Sequence, residues 1–480
     1  MIYLVSAEAR VFTSPNIKQV SVAESLRLLS TLEVVGTDTE TSGLSPWSDN
    51  LLLVQLGCKD FQVVIDTKTI DIMLYKDFLE SDRLFLFWNA KFDLQWFFKY
   101  GIVIRKVYDG FLAEKLLWLG YPSGMHSLAL KAAGENYLGI ELDKSVRGKI
   151  IWSKTLSEDI IVYGAEDVAH LEDIKEAQRK KLEEKGLTVA IEMENQFVLP
   201  LAYTEWCGIK LDKEKWEAKM ANDNLREAAA KAACDSWLIE NEPNSPYIII
   251  DNQGDLFAEN PFDLTPKVTL NWNSAKQLIP IFKKYGVNVE VEDKEKGGTK
   301  DSVNAKCLKP QADKCSLIPL YLEYREAAKV TSTYGKNFLD QINKNSGRIH
   351  TSYSQMGADT TRITSGGKDK SSSKEYVNLL NLPADAETRA CFIAEEGNKW
   401  ISIDYSGQET YLMASIANDE AIIKELTEGS GDIHSLTAYM SYSEIPRGTP
   451  IKDIKKLYHN LRQEAKGIEF AINKKLLYLY

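Results

Sequence analysis

Val34-Val35-Gly36-Thr37-Asp38-Thr39-Glu40-Thr41-Ser42-Gly43-Leu44 is the stretch whose reading decides the fold. Its apolar start reads as a buried strand, and that strand ends in two carboxylates, Asp38 and Glu40. Two further acidic clusters follow. LFWNAKFDLQWF places Asn89 and Asp93 just after the apolar run Leu84-Phe85-Leu86-Phe87. DIIVYGAEDVAHL places Tyr163 and Asp167 four apart on an expected helix, so they share a face. Charge at the end of a buried strand is costly unless it is paired or binds metal. Four carboxylates converging without basic partners would hold two divalent cations, and hard cations such as magnesium prefer oxygen ligands. Two ions roughly 3.5–4 Å apart clamp the attacking and leaving oxygens of a phosphodiester displacement.

In this order, D-x-E, N-x-x-x-D and Y-x-x-x-D resemble the DEDD 3′–5′ exonucleases of the tyrosine subtype. Each fragment alone is also what a solvated turn would give; the ordered set is specific. The resemblance implies that Asp38, Glu40, Asp93 and Asp167 are metal ligands and that Tyr163 orients the attacking water. Asn89 stands as a substrate contact in the second motif.

The chain has 480 residues, which points to two to four domains. Its content, 44% hydrophobic and 26% charged, is that of a soluble globular protein. No apolar run reaches the ~18 residues of a membrane span, so no membrane association is expected. The start, MIYLVSAEAR, carries no basic segment and no apolar core of a signal peptide. Cysteines 58, 207, 234, 307, 315 and 391 form no C-x-x-C pair, so neither a zinc ribbon nor a disulfide framework is expected. A reduced cytoplasmic compartment follows. The net charge of −11 is at odds with a nucleic-acid partner until its distribution is considered. Residues 1–190 carry 22 basic and 27 acidic side chains; residues 264–350 carry 15 and 9. An acidic catalytic module beside a basic segment suits an enzyme that grips phosphates in one place and cuts them in another. A merely solvated basic face is the competing reading.

Strands and helices alternate from about 20 to 185, with LLLVQLG (51–57) and FQVVID (61–66) as paired strands. A long helix is expected from Ser157 to Lys185, capped by Ser157 and stopped at Gly186. From about 187 to 350 the pattern is helical, with long periodic segments near 190–240 and 316–343. DKEKGGTK (293–300) reads as a flexible basic loop, a plain linker or a backbone grip. GGKDKSSSKE (366–375) reads as a mobile loop.

Downstream, Trp400-Ile401-Ser402-Ile403 reads as a strand ending in Asp404, with Glu409 opening a helix. In LRQEAKGIEFAIN (461–473), Arg462, Lys466 and Phe470 fall along one helical stripe. Such a stripe could hold a triphosphate and stack on a base, or be a solvated basic face with a buried Phe. These segments together resemble family A DNA polymerases, the kind found in bacteria and phages, whose N-terminal proofreading domain is a DEDD exonuclease. Asp404-Tyr405-Ser406-Gly407-Gln408-Glu409 looks like motif A, which makes Asp404 a catalytic metal ligand and Glu409 the gate against a ribose 2′-hydroxyl. Arg462, Lys466 and Phe470 match motif B, and His434 in GDIHSLTA a residue near the nucleotide phosphates. Arg362 in TTRITS and the NLLNLP run (378–383) resemble template–primer contacts; YLEYREAAKVTSTYG (321–335) and NSAKQL (273–278) resemble the thumb.

The resemblance covers residues 30–473. It implies an α/β RNase H-like exonuclease domain over 1–190, a mostly helical thumb-like DNA-binding region over 191–350, and an incomplete α+β polymerase palm and fingers over 351–480. It also implies Mg²⁺ or Mn²⁺, two ions per site, with DNA primer–template, single-stranded 3′ ends and dNTPs as partners, in the cytoplasm of a bacterium or phage-infected host. The family's motif B continues with Tyr-Gly where this chain has Lys474 and a KKLLYLY tail, and motif C does not follow. A frameshift or intron, a split polymerase completed by a second chain, or an incomplete reading frame would each account for this ending. Templated synthesis by the isolated chain is then expected to be crippled, with apolar surface of the half-palm exposed. The alternative is a free-standing 3′–5′ exonuclease with a DNA-binding arm, or one half of a split polymerase. A catalytically dead interaction module is disfavoured by the intact exonuclease set.

Overall fold

The computed structural model describes residues 1–122, 124–142, 156–250, 266–293, 297–368, 375–405 and 407–477, excepting the side chains of 421 and 469–477. The chain forms two compact units, Met1–Glu396 and Gly397–Tyr480. The boundaries expected at 190 and 350 both fall inside the first unit.

The first unit opens with a seven-stranded mixed sheet. Its strands are β1 (Ile2–Val5), β2 (Ile17–Gln19), β3 (Val34–Thr41), β4 (Leu51–Gly57), β5 (Gln62–Asp66), β6 (Leu84–Phe87) and β7 (Val107–Asp109). The spatial order is β2-β1-β5-β4-β3-β6-β7. β3, β4 and β5 pair antiparallel, while β6 joins β3, and β7 joins β6, in parallel. Central strands buried on both faces read as unbroken apolar runs, and β4 is buried at every position. Helices cover the sheet: α1 (Val22–Leu29), α2 (Ala90–Lys99), α3 (Gly110–Leu117), α4 (Glu158–Ala169) and α5 (Leu171–Glu184). The single helix expected over 157–185 is therefore two helices broken at His170. Ser157 is the N-cap residue of α4, in extended conformation and without a side-chain capping bond.

α4 lies unusually close to the sheet. A Cβ on Gly36 of β3 would stand 2.4 Å from the Val168 carbonyl oxygen, and a Cβ on Gly164 would stand 2.5 Å from Gln55 Nε2. Both positions must lack a side chain for the helix to settle where it does.

After α5 the chain becomes helical, as its periodicity implies: α6 (Thr188–Cys207), α7 (Lys213–Asn241) and α8 (Leu317–Thr333). A second core gathers Trp237, Trp272, Phe282 and Tyr321, and a third Trp216, Phe338, Ile349 and Val377. DKEKGGTK is not a featureless loop. Its described residues belong to a hairpin, Glu290–Glu292 against Thr299–Asp301, turned at Gly297 and Gly298, both with positive φ. Lysines of the basic segment are partly neutralised: Lys283 pairs with Asp301, Lys284 with Glu242 and Lys300 with Asp293. In GGKDKSSSKE, Gly367–Lys368 pairs with Glu375–Tyr376, and 369–374 lie outside the described residues.

The second unit holds α9 (Gln408–Ala417), α10 (Ile433–Ser441) and α11 (His459–Leu477) around a small core of Ala438, Ile445, Ile454 and Ala465. The strand expected at Trp400–Ile403 does not form. The stretch is irregular, and Trp400, Ile401, Ile403 and Tyr405 are exposed. The second unit contains no strand among its described residues, so this segment has no edge to complete its backbone hydrogen bonds. No helix among the described residues is long and apolar enough to cross a membrane.

Gly36→Ala should force α4 away from the sheet and destabilise the first unit by about 2 kcal/mol, the scale of overpacking. Thermal melting beside the wild type measures this; an unchanged midpoint would mean that α4 retreats without loss.

Candidate active site

β3 presents alternate side chains to opposite faces, so Asp38 and Glu40 share one face and Thr39 takes the other. A register shift between Glu40 and Thr41 marks the strand's end. α4 crosses β3, β4 and β5 on the Asp38 side and brings Asp167 to the strand pair. Carboxylate oxygens of Asp38, Glu40 and Asp167 lie within 4.8 Å of one another. This all-oxygen donor set suits a hard divalent cation. Tyr163, one turn before Asp167 on α4, is buried in an apolar cluster that includes Leu53 and Val64.

Asp93 does not join that trio. It sits in the first turn of α2, 3% exposed, and its Oδ1 accepts the Thr39 hydroxyl at 2.5 Å. Burial pushes its carboxyl well above the ordinary carboxylate range; the Thr39 bond opposes this, and the charges of Asp109 and Glu40 add to it. A cation near Asp93 would draw its carboxyl into ionisation.

Asn89 precedes α2 in a left-handed conformation, φ 76°. Its backbone N–H and that of Ala90 both donate to the Asp109 carboxylate at 2.9 Å. Asp109 also caps α3 through the Phe111 N–H, and its own N–H donates to Asn195 Oδ1 on α6. Burial pushes the Asp109 carboxyl up to about 6 against these stabilising bonds. At the other side of α2, Glu205 of α6 accepts from Lys91, from Gln95 Nε2 at 2.8 Å and from the Tyr353 N–H at 2.5 Å. The helix carrying Asp93 is thus pinned twice to α6. Asn89 lines an open cleft of about 490 Å³ with Lys91, Phe92, Trp47 and His350; Trp47 stacks on Trp206 at 4.1 Å.

Sequence reading missed Thr39, Asp109, Glu205 and Gln55. Asp109 carries a findable signal, an acid that follows the β-favouring Val107-Tyr108 pair just before a glycine and a helix. Gln55 interrupts the apolar run LLLVQLG. Glu205, on a later helix, carries none.

The residues assigned to a second site are arranged less fully. Asp404 is exposed in the irregular stretch, and Glu409 is exposed in the first turn of α9. The clustering of acids seen around Asp38 does not recur there among the described residues. Arg462 of α11 is engaged by protein: its guanidinium donates to both Asp432 carboxylate oxygens, at 2.9 and 3.1 Å, and to Ser435 Oγ at 3.1 Å. Burial alone would raise the Asp432 carboxyl; the Arg462 and Ser435 bonds hold it below the usual range. Asp432 caps α10, whose second residue is half-buried His434, so Arg462 and His434 meet through that cap. Lys466 is half-buried one turn on. The Phe470 side chain lies outside the described residues. Arg362 is exposed, in the first unit, on a turn in which its carbonyl accepts the Ala358 N–H at 3.1 Å.

Asp93 has a consequence for pH. The folded chain holds its proton to higher pH than the unfolded chain does, so the stability this gives is lost as pH rises through the raised value. A bound cation favours the ionised form and reverses the trend. In EDTA the melting temperature should fall from about pH 5.5 to about pH 8, and Mn²⁺ should raise it more at the higher pH. Asp93→Asn should remove most of that pH dependence. A Mn²⁺ shift equal at both pH values would assign the effect to another group.

Comparison with known proteins follows the same division. Residues 17–183 match the model of the 3′-5′ exonuclease family and residues 255–473 that of DNA polymerase family A. DNA polymerase I of Borreliella burgdorferi is 28% identical over 95% of this chain and 47% of the relative. DNA polymerase I of Aquifex aeolicus is 26% identical over 91% of this chain and 67% of the relative. The chain thus spans about half the length of the first of these. In fold it resembles the POL domain of Pol1 from M. smegmatis, solved in complex with DNA primer-template and dNTP. The TM-score is 0.68 at 20% identity, over 98% of this chain and 71% of that one. The chain thus carries a region similar to the 3′-5′ exonuclease family, followed by a region similar to DNA polymerase family A, and the DNA polymerase I relatives span both.

Proposed function

We propose that this chain removes nucleotides from the 3′ end of single-stranded DNA by metal-assisted phosphodiester hydrolysis, as the proofreading part of a family A DNA polymerase. The observation that carries this reading is the convergence of Asp38, Glu40 and Asp167 within 4.8 Å at the end of β3. Asp38, Glu40, Asp93 and Asp167 would hold two Mg²⁺ or Mn²⁺ ions, which supply charge stabilisation and an activated water when bound. Tyr163 orients that water from α4. Asn89, at the mouth of the cleft, contacts the terminal nucleotide, and Phe92 offers a ring beside it. Burial of Asp93 keeps bulk water from its side of the site, so each charge there acts in a low dielectric.

The polymerase region is proposed to bind primer–template and dNTP, the ligands of the M. smegmatis domain. Asp404 would serve as its metal ligand and Glu409 as its sugar gate. Arg362 would contact template–primer, and His434, Arg462, Lys466 and Phe470 would face the nucleotide. Arg462 must then exchange its bond to Asp432 for the phosphates, a bidentate anion partner of the same kind.

Digestion of a 5′-labelled single strand with Mn²⁺ tests the exonuclease reading. Asp38→Ala should lower the rate by orders of magnitude, Tyr163→Phe by less, and Asp404→Ala not at all. Undiminished digestion by purified Asp38→Ala would sink the assignment. Binding of primer–template should weaken steeply as salt rises, because phosphate contacts by residues 264–350 release counterions. An affinity flat between about 50 and 200 mM salt would reduce those lysines to a solvated face.

A further inference from the structure

One buried group beside the acidic trio has no hydrogen-bond partner among the described residues. Gln55 lies at the centre of β4, directly across from Asp38 and beside Val64 of β5, and is 0% exposed. Neither its Nε2 nor its Oε1 makes a hydrogen bond. Directly opposed residues in adjacent strands point to the same face, so the amide shares the face of Asp38 and Glu40. Its Nε2 lies against Gly164 of α4, where a Cβ would approach to 2.5 Å. Gly164 follows Tyr163 and precedes Asp167 by three residues. The amide therefore sits under the helix that supplies two members of the site and across from the strand that supplies the other two.

A buried amide with both ends unmet is destabilising, whereas an apolar side chain of the same shape would cost nothing there. Val54 and Leu56 beside it on the strand are buried and apolar, as a pure packing position would be. A polar group in such a place calls for a ligand or water to meet it. We infer that Gln55 is a positioning residue of the exonuclease site, its amide hydrogen-bonded to a water carried among the Asp38, Glu40 and Asp167 carboxylates. Nε2 donates to the water oxygen, and the water donates to a carboxylate oxygen, fixing the orientation of the acid that meets the cation. Gly164 is small so that this amide can occupy its place. The inference rests on the proposed exonuclease reading and adds to it a residue that the ordered acidic motifs do not contain.

The test uses the full chain with Gln55→Leu and, as a second substitution of similar volume, Gln55→Met. Three quantities are measured: melting temperature, kcat and KM on a single-stranded oligonucleotide with Mn²⁺, and Mn²⁺ affinity without DNA by electron paramagnetic resonance. Both variants should melt at or above the wild-type temperature. Their kcat should fall about 10–100-fold and their Mn²⁺ affinity should weaken, the usual effect of losing an outer partner of a metal ligand. KM for the oligonucleotide should change by less than about twofold, since the amide does not touch the DNA. Wild-type kcat and Mn²⁺ affinity in both variants would overturn the inference. So would a lower melting temperature or failure to fold, because the amide would then be making a structural bond. Asp38→Ala separates the two levels. If wild type and Asp38→Ala digest DNA alike, the exonuclease reading itself has failed, and the Mn²⁺ titration still decides whether Gln55 supports the acidic cluster. If Asp38→Ala is inactive while Gln55→Leu is indistinguishable from wild type, only the role of Gln55 has failed.

Discussion

The close approach of α4 to the sheet is the constraint on which the acidic site depends. Asp38 and Glu40 are fixed by strand pairing, but Asp167 can join them only if its helix lies nearly in backbone contact with β3. Two glycines permit this. Gly36 leaves room for the Val168 carbonyl, and Gly164 leaves room for the Gln55 amide. A methyl group at either place would move the helix by a fraction of an ångström to an ångström. Displacements of that size spoil metal sites, whose geometry tolerates only a few tenths of an ångström. The polar chemistry of the site thus depends on steric room at two glycines, Gly36 two residues before Asp38 and Gly164 next to Tyr163.

Once the acids converge, their mutual repulsion and burial must be contained. The structure does this unevenly. Asp38 and Glu40 keep partial exposure, while Asp93 and Asp109 are buried and pushed toward protonation. Asp109 is compensated by backbone N–H groups from two helix starts, an arrangement in which helix dipoles and hydrogen bonds favour a negative charge. It therefore performs structural work that leaves it ionised more readily than Asp93. Because its donors include Asn89 and Ala90, the same carboxylate fixes where α2 begins and hence where Asp93 stands. α6 closes the arrangement from outside through Asn195 and Glu205. That helix spans Thr188–Cys207, beyond the 17–183 match to the exonuclease model. The acidic site is therefore braced by residues outside the 17–183 match.

The acidic motifs were legible because they combine two local signals, an apolar strand run and a carboxylate at its end. Asp38 and Glu40 fall at the end of β3 as those signals imply, Asp167 joins them from α4 and Asp93 lies outside that trio, while β4, β5 and β6 match their apolar runs closely. The break at His170 was not legible: no glycine or proline marks it, and α4 and α5 pack on different neighbours instead. The strand at Trp400–Ile403 was misread for a different reason. Strand formation depends on a neighbouring edge, and apolar alternation cannot show whether one exists. The hairpin that spans DKEKGGTK reads as a loop in sequence because its two short strands carry mostly polar residues and only its Gly297-Gly298 turn is distinctive. Partnerships across long separations, such as Glu205 with Lys91 and Tyr353, leave no periodic trace at all.

The surroundings of Asp38 and of Arg462 also differ in how their charges are held. Around Asp38, carboxylate oxygens of three acids lie within 4.8 Å of one another, an arrangement that a divalent cation would stabilise. Around Arg462 the opposite holds: the guanidinium is already satisfied by Asp432 and Ser435, with fork geometry on the carboxylate. A phosphate that takes over Arg462 would leave Asp432 with its backbone capping bond to Ser435 and its hydroxyl bond from the same residue, so the cap of α10 survives the exchange. The cost is one ion pair replaced by another of like chemistry, with the side chain 12% exposed in its resting pair. Asp432 thus keeps the half-buried Arg462 guanidinium oriented while it caps the helix that carries His434.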